Sequence, residues 1–238
     1  MKKILSTAFL LWISAVAWAQ TPAQPPIPKN QYGLPVVTSS ALYKQMVNQN
    51  PKQELVELAS YIPGLVLDIK YATVDNFIKE PVYKIATAYA RKPVADALKK
   101  VQADLKPLGL GLKIYDGYRP YHVTVLFFKK VKKKAYVANP KEGSRHNRGC
   151  AIDLTLIQLK DGKELEMPTP YDATVVQSHP DYPHVSEQVK KNRALLINTM
   201  QRHGFTVFHN EWWHFDFKDW RQYPLMDIRF EDLKALKK

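Results

Sequence analysis

The sequence specifies an α+β domain, a small, largely antiparallel sheet flanked by helices. Two observations carry this. Cys150–Leu156 (CAIDLTL) and Trp213–Phe217 (WHFDF) alternate with the two-residue period of a strand. Val94–Leu105 (VADALKKVQADL) and Ser186–His203 instead place apolar residues at three- and four-residue steps, the spacing of an amphipathic helix.

Taken in order, residues 20–38 form an extended arm whose first part is rich in Pro, Gln and Thr. Ser40–Ala59 has a helical pattern of Leu42, Met46, Leu55 and Leu58, interrupted by Pro51. Leu65–Lys70 (LVLDIK) is expected as a strand, and the helix of Val94–Leu105 ends before Pro107. Leu112–Tyr115 is a short strand running into Asp116-Gly-Tyr-Arg119-Pro. Tyr121 to about Tyr136 is expected to be helical, with Lys129, Lys130, Lys132, Lys133 and Lys134 forming a solvated face. Gly204 caps the helix of Ser186–His203, and Phe205–Phe208 is a strand. Residues 39–238 make one domain, with no internal repeat.

Composition narrows the setting. At 45% apolar and 24% charged residues the chain is globular rather than disordered. Lys2 and Lys3 precede an apolar run, Ile4–Val16, followed by the A-x-A-like site Ala17-Trp18-Ala19. Residues 1–19 therefore read as a secretory signal peptide, the run being short for a membrane span. The mature chain would start near Gln20, without a transmembrane segment, in the periplasm or cell envelope of a bacterium. Its formal charge falls from +13 to +11 on losing Lys2 and Lys3, which favours anionic wall polymers or headgroups as partners over nucleic acid. Cys150 is the single cysteine, so an internal disulfide, a Cys-rich zinc site and a CxxC redox pair are excluded. Its place between Gly149 and Ala151 suits packing better than nucleophilic chemistry.

Two segments carry chemistry: Ser144-Arg-His146-Asn-Arg-Gly-Cys-Ala-Ile-Asp153 and Glu211-Trp-Trp-His214. Asp153 and His214 each sit on the polar side of an apolar strand, and a carboxylate between aliphatic neighbours is costly unless paired or ligated. If the strands are neighbours, Asp153 and His214 meet on one face, and His146 arrives from the preceding loop, where Gly149 lets the chain turn. Two imidazoles and a carboxylate with an open fourth position make a catalytic zinc site. Glu211 would be its acid/base, with Trp212 and Trp213 as apolar surroundings that raise its pKa. The patterns alone leave open a surface His146, a turn carboxylate at Asp153 and a satisfied core His214.

The residues resemble a known family. SRHNRGCAIDLTL is similar to the SxHxxGxAxD signature of the LAS-type zinc peptidases, and EWWHF to their ExxWH signature. KYATVDNF, YDGYRP and MPTPYD complete, in order, a resemblance to the D-alanyl-D-alanine dipeptidases of the vancomycin-resistance type, peptidase family M15, over most of the chain after about residue 60. The resemblance implies one zinc ion per chain on His146, Asp153 and His214, with Glu211 as general base and acid. It implies Arg119 as the oxyanion-stabilising arginine, Asp172 as partner of the substrate ammonium, Ser144 as partner of the substrate carboxylate or as a ligand-orienting group, and Tyr71 and Asn76 as pocket lining. His122, His179, His184 and His209 match no motif position and are read as non-ligands.

The activity so implied is hydrolysis of D-alanyl-D-alanine and related small D,D-dipeptides in the cell envelope. A D,D- or L,D-carboxypeptidase acting on wall stem peptides is the alternative within the same chemistry. A metal-binding wall-recognition module without turnover is a third reading, against which the occupied acid/base position, Glu211, argues.

Overall fold

The computed structural model describes residues 26–236; the expected signal peptide and the first part of the arm lie outside the described residues. The strands are β1 (Val36–Val37), β2 (Leu55–Glu57), β3 (Val66–Leu67), β4 (Tyr89–Arg91), β5 (Leu110–Asp116), β6 (Ala151–Gln158), β7 (Phe205–Phe208), β8 (Glu211–Phe217) and β9 (Leu225–Met226). The α-helices are α1 (Ser40–Gln49), α2 (Leu58–Tyr61), α3 (Lys92–Leu105), α4 (Tyr121–Lys130), α5 (Glu187–Arg202) and α6 (Phe230–Ala235). A five-stranded sheet of order β3-β5-β6-β8-β7 forms the centre, antiparallel except where β3 joins β5. The mostly antiparallel α+β expectation holds.

Helices α3 and α5 follow their sequence patterns. Pro93 opens α3, where its missing N–H costs nothing, and Val94, Leu98, Val101 and Leu105 bury its apolar stripe. The Ser186 hydroxyl caps α5 by accepting from the Val189 amide, and Gly204 ends it at φ 85°. No described helix is long and apolar enough to cross a membrane.

Three expectations are corrected. The helix expected over Ser40–Ala59 stops at Gln49, because Pro51 has no amide to donate; Leu55–Glu57 instead pair with β4. LVLDIK contributes only Val66 and Leu67 to the sheet, and Lys70–Ala72 turn into a 3₁₀ segment that buries Tyr71. Helix α4 ends at Lys130, so Lys132, Lys133 and Lys134 lie on the segment after it rather than on a helix face. The arm also has structure where it is described: Lys29 bridges Pro35, and β1 pairs in parallel with β9.

Two irregularities of the sheet set which side chains can meet. Between β5 and β6, Ile114 faces Leu154 and Asp116 faces Asp153, leaving Tyr115 as an extra residue. Between β7 and β8, Val207 faces Phe215 but Phe208 faces Glu211, so three residues of β8 bulge out of register.

Candidate active site

β6 and β8 place Asp153 and His214 directly opposite each other, and such cross-strand partners share a face. The loop before β6 brings in the third group. It ends at Gly149, whose φ of 69° and nearness to Leu55 leave no room for a side chain: an added Cβ would lie 2.7 Å from a Leu55 methyl. His146 is thereby set over the strand pair. One ligand atom from each of His146, Asp153 and His214 falls within 4.8 Å of the others, and all three residues are buried.

The remaining atoms of these side chains decide which atoms face inward. His146 Nδ1 lies 2.8 Å from the Gly117 carbonyl, an acceptor, so this nitrogen carries the proton and Nε2 presents a lone pair. His214 Nε2 lies 3.0 Å from Asp216 Oδ1, so its Nδ1 is the free one. Asp153 Oδ2 accepts from the Tyr171 hydroxyl at 2.9 Å, while its Oδ1 is buried with no hydrogen-bond donor. His146 Nε2 and His214 Nδ1 are 3.1 Å apart, and Asp153 Oδ1 is 3.1 Å from the latter and 3.4 Å from the former. Three acceptor atoms converging without a proton between them call for a cation.

Protonation in the absence of a cation reflects the same demand. Burial works against charge on His214, but the carboxylates of Asp153 and Asp216 on either side of its ring outweigh it and push its pKa up to about 10. Burial likewise opposes charge on Asp153, yet the imidazoles of His146 and His214 hold its carboxyl well below the usual range. An N, N, O donor set from two imidazoles and one carboxylate fits a borderline divalent transition metal.

Glu211 stands beside this cluster, its Oε2 3.6 Å from His214 Nδ1. Strict alternation would turn positions 211 and 214 to opposite faces; the bulge in β8 brings both into one cavity. Burial raises the Glu211 pKa, the neighbouring imidazoles notwithstanding. Trp213 lines the cavity, whereas Trp212 is buried away from it and donates its indole N–H to Thr169.

Arg119 is held rigidly. Its Nε and one terminal nitrogen donate to Asp116 Oδ2 at 3.0 and 2.8 Å, and its guanidinium lies 4.9 Å from the centre of the Phe127 ring. The same nitrogen is 3.9 Å from Asp153 Oδ2. The bulge at Tyr115 creates this arrangement by setting Asp116 opposite Asp153. Asn147 ties the two loops together: its side-chain amide donates to the Arg119 carbonyl and to Thr124.

His146, Asp153, His214, Glu211, Arg119, Ser144, Asp172 and Tyr71 all line one cavity of about 420 Å³. Ser144 Oγ accepts from the His146 amide at 3.2 Å, which leaves its own hydroxyl proton free to donate into the cavity. Tyr71 donates to Asp172 Oδ2 at 2.8 Å. Asn76 stands apart from the cavity lining. Its amide nitrogen donates to the Thr73 and Glu80 carbonyls and its oxygen accepts from the Ile78 and Lys79 amides, so it organises its own loop. Cys150 is buried outside the cluster, and burial pushes its thiol up to about 12, the range of an inert thiol. His122, His179, His184 and His209 are outside the cluster too.

Asp116, Tyr171 and Asp216 also belong to the site, although the sequence alone assigns them no role. Two of them leave a signal: Asp216 shares strand parity with His214, and Asp116 precedes Arg119 by three residues in a Gly-containing turn. Tyr171 leaves none, since its contact with Asp153 depends on a loop folding back across the sheet.

Known proteins carry closely related sequences. The model of the peptidase M15 family, described as D-Ala-D-Ala dipeptidase, matches residues 51–233. The D-alanyl-D-alanine dipeptidase of Escherichia coli (strain K12) is 36% identical over 177 residues, covering 74% of this chain and 91% of that protein. Those of Enterococcus faecalis (strain ATCC 700802 / V583) and Enterococcus faecium are 32% and 31% identical, each across 70% of this chain and 92% of their own length.

Proposed function

Starting from the fact that the chain belongs to the D-Ala-D-Ala dipeptidase family of M15 peptidases, we propose that it hydrolyses D-alanyl-D-alanine and related D,D-dipeptides, using one zinc ion held by His146, Asp153 and His214. The observation that carries the metal is the orphaned Asp153 Oδ1, which faces two unprotonated imidazole nitrogens in a buried site. When bound there, zinc supplies Lewis-acid polarisation of the peptide carbonyl and lowers the pKa of water.

The chain's own groups do the rest. Glu211, its pKa raised by burial, takes the proton of the attacking water and delivers it to the leaving amine nitrogen as the C–N bond breaks. Arg119 is already fixed by Asp116, so its guanidinium meets the negative charge developing on the carbonyl oxygen without reorganising. Asp172 receives the substrate ammonium, and the free hydroxyl proton of Ser144 is available to the substrate carboxylate. Tyr71 fixes the Asp172 carboxylate, and its ring forms a wall of the cavity.

The cell envelope is the proposed location, on the strength of the charged and apolar pattern of Met1–Ala19; the net charge supports association with anionic wall polymers. The purified zinc protein is expected to release D-alanine from D-Ala-D-Ala, with one equivalent of zinc by metal analysis. Cleavage of a wall pentapeptide with none of the dipeptide would overturn the dipeptidase reading, and a mature N-terminus upstream of Gln20 would overturn the signal-peptide reading.

A further inference from the structure

A second compartment adjoins the metal cavity. Its volume is about 380 Å³, comparable with the first and within the range of about 300–1,000 Å³ typical of small-ligand pockets. Asp172, Glu211 and Trp213 line both compartments. Beyond them the second is lined by the segment that follows α4, with Lys132 and Lys133, and by Ile78 and Thr174.

The polarity of the two compartments is ordered. Ser144, Arg145 and Arg148 line only the metal cavity, the end where a substrate carboxylate is received. Asp172, the group assigned to the amino end, lines both the metal-ligand cavity and the second compartment. A substituent on the substrate's amino nitrogen would therefore enter the compartment of Lys132 and Lys133. Lys130 on that wall is already paired with Glu80 at 2.6 Å, but among the described residues Lys132 and Lys133 have no carboxylate partner.

We infer that this compartment is an anion-accepting extension of the active site, which admits D,D-dipeptides acylated on the amino nitrogen by a group that carries a carboxylate. This rests on the dipeptidase reading, which supplies the substrate's orientation. Acylation turns the ammonium into an amide N–H, which still donates to Asp172 but no longer neutralises it. A distal carboxylate restores the lost attraction by meeting Lys132 and Lys133; a neutral acyl group does not. Ile78 and the Trp213 ring offer apolar surface to the methylenes between the two charges.

The test measures binding, so it does not depend on turnover. Zinc-loaded Glu211→Gln protein is titrated with N-succinyl-D-Ala-D-Ala and N-acetyl-D-Ala-D-Ala, alone and with Lys132→Glu/Lys133→Glu added. The succinyl compound is expected to bind about five- to tenfold tighter than the acetyl compound, the scale of two exposed ion pairs. The double lysine change is expected to abolish this difference, as is high salt, and with Glu211 intact to leave D-Ala-D-Ala hydrolysis within about twofold. Equal affinities for the two compounds, or a preference that survives the lysine changes, would refute the inference. If the parent zinc protein, with Glu211 and both lysines intact, hydrolyses no D-Ala-D-Ala while a lysine-dependent succinyl preference is present, the dipeptidase reading falls and the anion-accepting compartment stands.

Discussion

Asp153 lies within a regular strand, and Asp172 in a long loop, in a left-handed turn at φ 62°. Both carboxylates line one cavity and each accepts a tyrosine hydroxyl, from Tyr171 and Tyr71 respectively. Their surroundings then diverge. Two imidazoles face Asp153 and keep it ionised in spite of its burial. Burial and the nearby Asp153 charge instead push Asp172 well above the usual carboxylate range. The strand position is thus suited to hold a cation. The loop position is costly to ionise until a positively charged group arrives, which suits a site that binds and releases a substrate ammonium.

The largest effect should come from the strand side. Asp153→Ala is expected to lose bound zinc and all measurable hydrolysis, whereas Asp172→Ala keeps its zinc; metal loss in both variants would show that the two carboxylates do not differ in this way. Next is Glu211→Gln, with zinc content unchanged and kcat down by about 10²- to 10⁴-fold, the range for a lost general acid/base. Asp216→Asn, which weakens the support of His214, is expected to cost about 10- to 100-fold in metal affinity or activity. A competition titration against a chelator measures this, and unchanged affinity and activity would remove Asp216 from the site.

The smallest effect sharpens the comparison through pH. Asp172→Asn should raise KM more than it lowers kcat. A carboxyl whose folded pKa lies above its unfolded value penalises the fold once pH exceeds that unfolded value, about 3.9. Metal-free Asp172→Asn should therefore melt at a higher temperature than the metal-free parent near pH 7, with the gain vanishing below about pH 3.9, where both states carry the proton. A variant less stable than the parent at pH 7 would contradict the cost assigned to Asp172.

Much of the candidate site could be read in the chain, part of it from local rules and part from the family resemblance. Alternation within CAIDLTL set Asp153 on the polar side of β6, and Gly149 marked a turn that tolerates no Cβ. Pro51 signalled a break, but the pattern around it did not show that Leu55–Glu57 would become a strand, since that depends on β4 as a partner.

Other features required elements distant in sequence. Alternation alone turns Glu211 and His214 apart; the three-residue bulge against β7 reunites them. Asp116 reaches Arg119 and faces Asp153 because Tyr115 bulges from β5. Tyr171 and Tyr71, far from their carboxylate partners' strands or loops in the chain, meet them only after the loops close over the sheet. Residue identity and period, which act over a few positions, placed Asp153 and His214 on the polar sides of their strands, and the family resemblance grouped them with His146 and Glu211. Register is a balance among pairing, packing and bulge geometry across separate strands, and it was the folded chain that set which groups share the cavity and how wide it opens beyond Asp172.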